Sequence, residues 1–242
     1  VGFTPDGDYF LSQAAPGFSG ATVIEGSALD GRVMVGWGTG SPEGYTYGPV
    51  KIVDGEYQPL PLPELNYRGD EHDQGAMARG ISANGEIIYG TSWESFDFGM
   101  LYWVNNGENT AAPKWVGHDV REVVPVTMKM GDGTEYETHL VKGCKCTAEN
   151  TKVSPNGKWI ATKYCEDSVS DDGISMYTSE TPAFYNTETE TTVIVEDYGE
   201  STGVHATDDG IAFIGVGSLG ISSGKVYDLN TGTDLGSTQE WV

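Results

Sequence analysis

A short phrase recurs five times along this chain: a turn ending in Asp-Gly or Asn-Gly, then a run of apolar residues. It reads Thr4-Pro5-Asp6-Gly7 before Tyr9, Phe10 and Leu11, and Ala28-Leu29-Asp30-Gly31 before Val33, Met34 and Val35. The next copies are Ser82-Ala83-Asn84-Gly85 before Ile87, Ile88 and Tyr89, and Ser154-Pro155-Asn156-Gly157 before Trp159, Ile160 and Ala161. The last is Thr207-Asp208-Asp209-Gly210 before Ala212, Phe213 and Ile214. A supersecondary unit repeated in this way fixes the architecture before any single residue is weighed.

Each phrase suits a hairpin turn. Pro presets φ, Asp or Asn tolerates the third position, and Gly accepts the left-handed conformation at the fourth. The apolar run does not alternate with polar residues, so it predicts a strand covered on both faces. The fifth position after the glycine is small in every copy (Ser12, Gly36, Gly90, Thr162, Gly215), which points to a crowded centre.

Further strand-like segments follow at 50–53, 101–104, 183–185 and 226–229, ended by turn signals such as Asp54-Gly55 and Asn106-Gly107. Third stretches at 113–116 and 192–195 close their units, so each unit reads as about four short strands, a propeller blade. Gly31 to Gly85 spans 54 residues and Gly157 to Gly210 spans 53, whereas Gly85 to Gly157 spans 72. The long step holds an inserted β-hairpin over about 123–141, around Gly131-Asp132-Gly133. Gly7 to Gly31 is too short for a blade, so residues 1–18 read as a partial blade. The expected fold is all-β: one domain over 1–242, a β-propeller of about five four-stranded blades, irregular or incomplete.

The run Ser154-Pro155-Asn156-Gly157-Lys158-Trp159-Ile160-Ala161 resembles the turn and second strand of TolB-type (WD40-like) propeller blades. The phrase from Gly80 through Gly85 to Ser92 is similar to extracellular HAF-type repeats. The resemblance covers most of the chain from about Ala21 onward. It implies a propeller, often secreted or periplasmic, serving more as a binding scaffold than as a catalyst. These motifs are turn chemistry and carry little about function.

The net charge is −23, from 36 acidic against 13 basic residues, and such a surface repels phosphate backbones. Nucleic acid is therefore not an expected partner. No apolar run is long enough to span a membrane. The chain starts at Val1 with no signal peptide and no methionine, which reads as removal of a preceding segment; its Thr- and Gly-rich, Lys-poor composition and the propeller resemblance lead to an expected extracytoplasmic place, secreted, periplasmic or at the cell surface.

Of the cysteines, Cys144, Cys146 and Cys165, one pairing has a geometric argument. If Ser154 and Gly157 face each other across their turn, a regular ladder sets Cys146 opposite Cys165, within reach of a disulfide. Idle thiols and a metal site with His139 are the alternatives; Cys-x-Cys lacks the spacing of a zinc knuckle.

No nucleophile elbow, metalloprotease motif or phosphate-binding loop occurs, so no catalytic residue is nominated and a binding role is read ahead of an enzymatic one. The loops opposite the turn phrases hold the chemistry: Tyr45 and Tyr47; Trp93, Phe96 and Phe98; Asp70, His72 and Asp73; Asp171 and Tyr177. Aromatic faces beside carboxylates suit a glycan, and the same surface suits a protein. Asp70, Glu71 and Asp73 are the candidate ligands for calcium, the one cofactor considered. The expected function is a binding or scaffold module for a glycan or protein. A glycan hydrolase or lyase using loop carboxylates and a structural fragment of a larger assembly are the alternatives.

Overall fold

The structure is a computed structural model that describes residues 2–3, 9–10, 14–67, 69, 75–93, 99–107, 109–145, 151–196, 201–216 and 223–237. Strands β1 (Gly2–Phe3) and β2 (Tyr9–Phe10) pair antiparallel around 4–8, which lie outside the described residues, as does Ser12. The first four-stranded sheet runs in chain order through β3 (Thr22–Ser27), β4 (Val33–Thr39), β5 (Tyr47–Val53) and β6 (Glu56–Pro59). The second comprises β7 (Ala76–Ile81), β8 (Ile87–Ser92), β9 (Met100–Asn106) and β10 (Asn109–Thr110), with β11 (Lys114–Trp115) also on β9.

The third sheet is larger. After a single 3-10 turn at His118–Val120 come β12 (Glu122–Lys129), β13 (Glu135–Gly143), β14 (Lys152–Val153), β15 (Trp159–Val169), β16 (Met176–Asn186) and β17 (Thr191–Ile194). β14 and β13 share one edge of β15, with β14 at its start and β13 at Cys165 and Glu166. The fourth sheet is β18 (Ser201–Ala206), β19 (Ile211–Val216), β20 (Ser223–Asp228) and β21 (Thr233–Ser237). One edge strand of each sheet neighbours that of the next: β7 lies beside β3, β14 beside β7 and β18 beside β14. Four meander sheets stacked through their inner strands, plus the β1–β2 pair, make a β-propeller arrangement.

The unbroken apolar runs are explained by what lies on each side of them. In β8, Ile88 enters one cluster with Val35, Ala78 and Trp103, while Ile87 and Tyr89 enter another with Tyr102, Ile160 and Tyr185. In β15, Ile160 faces the second sheet, and Trp159 and Ala161 pack with Val204, Ala212 and Ile214 of the fourth. Each fully buried Ile or Phe contributes on the order of 2 kcal/mol. β19 departs from this pattern. Ala212 and Ile214 are buried but Phe213 is 42% exposed, because the fourth sheet packs on the third through one face.

The small residue after each turn has a different cause from a crowded centre. β3 and β7 each carry a bulge that leaves one residue unpaired, Glu25 and Arg79 respectively. A Cβ on Gly36 would sit 1.8 Å from the Val23 carbonyl oxygen, and one on Gly90 would sit 2.1 Å from that of Met77. The glycine makes room for the bulged partner strand. Gly215 likewise faces the irregularity between Ser201 and Gly203, whereas Thr162 stands on β15, where no bulge is recorded among the described residues of β14.

The turns are bonded to one another. Leu29 N–H donates to Ala83 O at 2.9 Å, Asn84 N–H to Pro155 O at 3.1 Å, and Asn156 N–H to Asp208 Oδ1 at 2.9 Å. One blade's turn therefore cannot tilt without disturbing the next. Buried Lys51 adds a side-chain tie, donating from Nζ to Asn105 Oδ1 at 3.0 Å and to Gly107 O at 2.5 Å.

Candidate functional site

At the end opposite the turns, the first and second sheets meet at Gly75. This residue forms a parallel bridge with Tyr47, and its carbonyl accepts from Trp93 N–H at 2.8 Å. Gly75 has φ +101, and a Cβ there would sit 1.8 Å from Tyr47 O, so only glycine allows the two blades to approach this closely. The approach assembles an aromatic run. Trp37 and Tyr47 pack edge to face at 5.4 Å, and Tyr47 and Trp93 do so at 5.0 Å. Tyr45 lies at the rim, in a loop closed by Ser41 N–H donating to Tyr45 O at 2.9 Å.

The inner end of this run is charged. Trp37 Nε1 donates to Glu25 Oε1 at 2.8 Å, and Arg79 Nη1 donates to the same oxygen at 2.9 Å. Glu25 and Arg79 are the two bulged residues, so the irregularity in each inner strand turns a charged side chain out of the ladder and towards the other. They line a cavity of about 310 Å³ together with Ser27, Tyr89 and Lys152. Burial and then the Glu25 charge push the Tyr89 hydroxyl pKa up, so it stays a protonated donor.

The sequence-derived candidates divide into groups. Tyr47 and Trp93 are brought together with Trp37, and Tyr45 lies beside them. Asp171 and Tyr177 are elsewhere: β15 and β16 are a long hairpin arm, with Asp171 in its tip turn and Tyr177 on β16, 60% exposed. Ser170-Asp171-Asp172-Gly173 is in fact another copy of the turn phrase. Gly173 N–H donates to Ser170 O at 2.9 Å, and Asp172 Oδ1 accepts from Ile174 N–H at 3.0 Å, which with the Ser170 hydroxyl lowers the Asp172 pKa. Glu166 and Asp167 are on β15. Asp70, Glu71, His72, Asp73, Phe96, Phe98 and Cys146 lie outside the described residues. Among the described residues no group of three or more His, Cys, Asp or Glu is placed to hold a metal ion.

The register argued for the cysteines is corrected. Ser154 N–H donates to Trp159 O at 2.8 Å, and Lys152 and Val153 pair with Ala161 and Ile160, so Ser154 faces Trp159 rather than Gly157. Gly157, at φ +85, takes the extra place in the turn. The ladder is also interrupted, since β13 rather than β14 pairs with β15 at Cys165. Cys165 is disulfide-bonded and Cys144 is a free, buried thiol.

Trp37, Glu25, Arg79 and Lys152 were not singled out from sequence. Trp37 sits within an apolar strand pattern, and a bulge that reorients one residue leaves no local signal beyond the glycine opposite it.

Neither a protein-family model nor a curated protein matches this chain. Among solved structures it is similar to TolB from Acinetobacter baumannii, at 10% identity over 88% of this chain and 41% of that one, with a TM-score of 0.41. Others are a putative TolB from Agrobacterium tumefaciens (12% identity, 89% and 82% covered, TM-score 0.27) and a puromycin-hydrolysing peptidase from Mycobacterium tuberculosis (14%, 93% and 39%, TM-score 0.28). The chain spans about two-fifths of the length of the first and of the third.

Proposed function

We propose that this chain is a binding module that takes a peptide or protein segment along the junction of the first two blades. One observation carries the reading: the aromatic run Trp37–Tyr47–Trp93 leads without interruption into the Glu25–Arg79 pair. Aromatic edges and faces supply contact area, and the pair supplies both an acceptor and a donor for a polar backbone or side chain. A glycan fits less well. Tyr47 stands at 79° and 62° to its two neighbours, so the three rings do not form one continuous flat platform for sugar rings to stack on. Phe96, Phe98, Asp70, His72 and Asp73 follow Trp93 or precede Gly75 within a few residues in sequence, and they belong to the proposed binding region on that ground.

The proposal includes an extracytoplasmic location, a single domain over 1–242 and kinship of the Gly80–Ser92 phrase with HAF-type repeats. The disulfide at Cys165 supports the location, because such bonds persist in oxidising compartments. With Cys144 free, Cys146 is the remaining partner in the sequence. No helix among the described residues is long and apolar enough to cross a membrane.

The test is a hexapeptide array and a glycan array probed in parallel with the wild-type chain and with Trp37→Ala and Trp93→Ala. Peptide binding that falls at least tenfold in both variants supports the reading. Glycan binding alone, or peptide binding indifferent to both substitutions, overturns it.

A further inference from the structure

The third sheet carries a strand edge that no other strand covers. Ahead of Pro182, β16 has β15 on one side only, because β17 pairs with 183–186. Ser170 N–H donates to Ser175 O at 2.9 Å, so alternation along the antiparallel ladder turns the main-chain groups of Tyr177 and Ser179 towards β15 and those of Met176, Thr178 and Glu180 away from it. Pro182 O, next in the outward series, accepts from Val195 N–H at 2.9 Å, in agreement with that phase. Among the described residues nothing bonds the outward N–H and C=O groups of Met176, Thr178 and Glu180. Every side chain from Met176 through Glu180 is exposed, so both faces of the strand are open as well.

Sheet edges are ordinarily blunted by Pro, by bulges or by unpaired charge. The other edge of this sheet is treated that way. Met130 N–H donates to Thr134 O at 2.8 Å, which puts Pro125 at an outward position of β12, where it offers no donor. The edge of β16 lacks these guards. Its ladder to β15 runs without a register shift, and its one charge, on Glu180, is paired with Lys163. The tip is also held in place, since Lys129 N–H donates to Gly173 O at 2.8 Å and ties the end of β12 to the β15–β16 turn. An added strand therefore meets a preformed edge.

The chemistry around the edge selects its occupant. Met130, Ile174, Met176 and Tyr177 are 49–60% exposed, an apolar group at the joined tips. Asp132, Glu137, Asp171 and Asp172 are exposed and have no basic partner among the described residues. The lysines of this sheet are taken elsewhere: Lys129 by Glu135, Lys142 by Glu122 and Glu166, Lys145 by Asp167 and Lys163 by Glu180. Uncompensated carboxylates beside apolar side chains complement a segment in which Lys or Arg alternates with apolar residues.

We infer that the edge of β16 from Met176 to Glu180 docks an extended cationic peptide segment, which adds to the sheet as a further strand and sets its basic side chains against the carboxylates of the tips. This site is separate from the junction of the first two blades and does not rest on the reading given there.

The experiment is amide hydrogen exchange by NMR in the 15N-labelled chain, with acetyl-Lys-Val-Lys-Val-Lys-Val-Lys-amide as the probe and acetyl-Glu-Val-Glu-Val-Glu-Val-Glu-amide as its control. The expected result is a saturable slowing, about tenfold or more, at Met176, Thr178 and Glu180 with the lysine peptide and none with the glutamate peptide. Met176→Pro, which removes one outward donor and no bond among the described residues, should weaken binding about tenfold. Slow exchange at Tyr177 and Ser179, whose amides face β15, shows that the hairpin is intact in that variant; if it is not, the wild-type pattern decides alone. Equal binding of the two peptides, protection confined to other amides, or binding indifferent to Met176→Pro in an intact hairpin overturns the inference. Slow exchange at the three amides of the free chain that deepens with chain concentration places a second copy on the edge and overturns it too. Trp93→Ala should leave this binding unchanged; loss in that variant assigns the peptide to the blade junction and overturns the edge site while the junction reading stands.

Discussion

The backbone N–H of Asn84 donates to the carbonyl oxygen of Pro155 at 3.1 Å, joining the turn of the second blade to that of the third. The Asn84 side chain reinforces the joint. Its Oδ1 accepts from Ser82 Oγ at 2.6 Å and from Glu86 N–H at 3.1 Å, and its Nδ2 donates to Asn156 O at 3.0 Å. The residue that makes the turn thus also makes the contact between turns.

Asn84→Ala is expected to cost about 2 kcal/mol, which lowers Tm by roughly 4–8 °C in a chain of this size. Asp30 occupies the same place in the first turn, and its side chain accepts from Arg32 N–H at 3.0 Å within its own turn. Asp30→Ala should cost about 0.5 kcal/mol. Equal losses in thermal melts would show that the contact between turns contributes nothing.

The arm is held by a buried ion pair. Asp167 is 5% exposed and accepts from Lys145 Nζ, from Thr178 Oγ1 at 2.7 Å and from Val141 N–H at 3.2 Å. Asp167→Ala strands three donors and is expected to cost about 3–5 kcal/mol in urea unfolding. The double variant Asp167→Leu with Lys145→Met should be less destabilised than Asp167→Ala, since no uncompensated charge is left behind.

Gly90→Ala is expected to cost more than about 3 kcal/mol, because the added methyl meets the Met77 carbonyl rather than a side chain that could move. Gly131→Ala has nothing within 4 Å and should change stability by less than about 0.5 kcal/mol. Comparable urea midpoints for the two would contradict the account of the bulge.

Alkaline pH should unfold the chain earlier than its surface chemistry suggests. Burial, and then the Asp119 charge, push the Cys144 thiol from its ordinary 9.0 up to about 12, so between those values the unfolded chain releases a proton that the folded one keeps. Stability is therefore complete below pH 9.0 and falls as pH rises towards about 12. Tyr67, Tyr102 and Tyr185, also raised by burial, act in the same direction, while buried Lys51, whose pKa burial lowers, acts against them. Cys144→Ala should flatten the fall in chemical-denaturation curves taken from pH 8 to 11; an unchanged slope would count against a buried protonated thiol.

The sequence by itself determined the repeating unit, because turn chemistry is local. Asp-Gly and Asn-Gly turns with three apolar residues behind them specify hairpins and doubly covered strands wherever they occur, and the blades at Gly31, Gly85, Gly157 and Gly210 follow from that. The long arm was only half legible. The β12–β13 hairpin beside it announces itself through Gly131-Asp132-Gly133, whereas the polar sequence of 164–180 looks like loop because Met176 to Glu180 are exposed and β15 there buries only alternate positions such as Cys165 and Asp167. Only the tertiary structure decided which side chains meet. The bulges at Glu25 and Arg79 come from pairing between strands, and the Trp37–Tyr47–Trp93 run comes from two blades closing on Gly75. Both depend on partners in other strands, where local propensity carries no information.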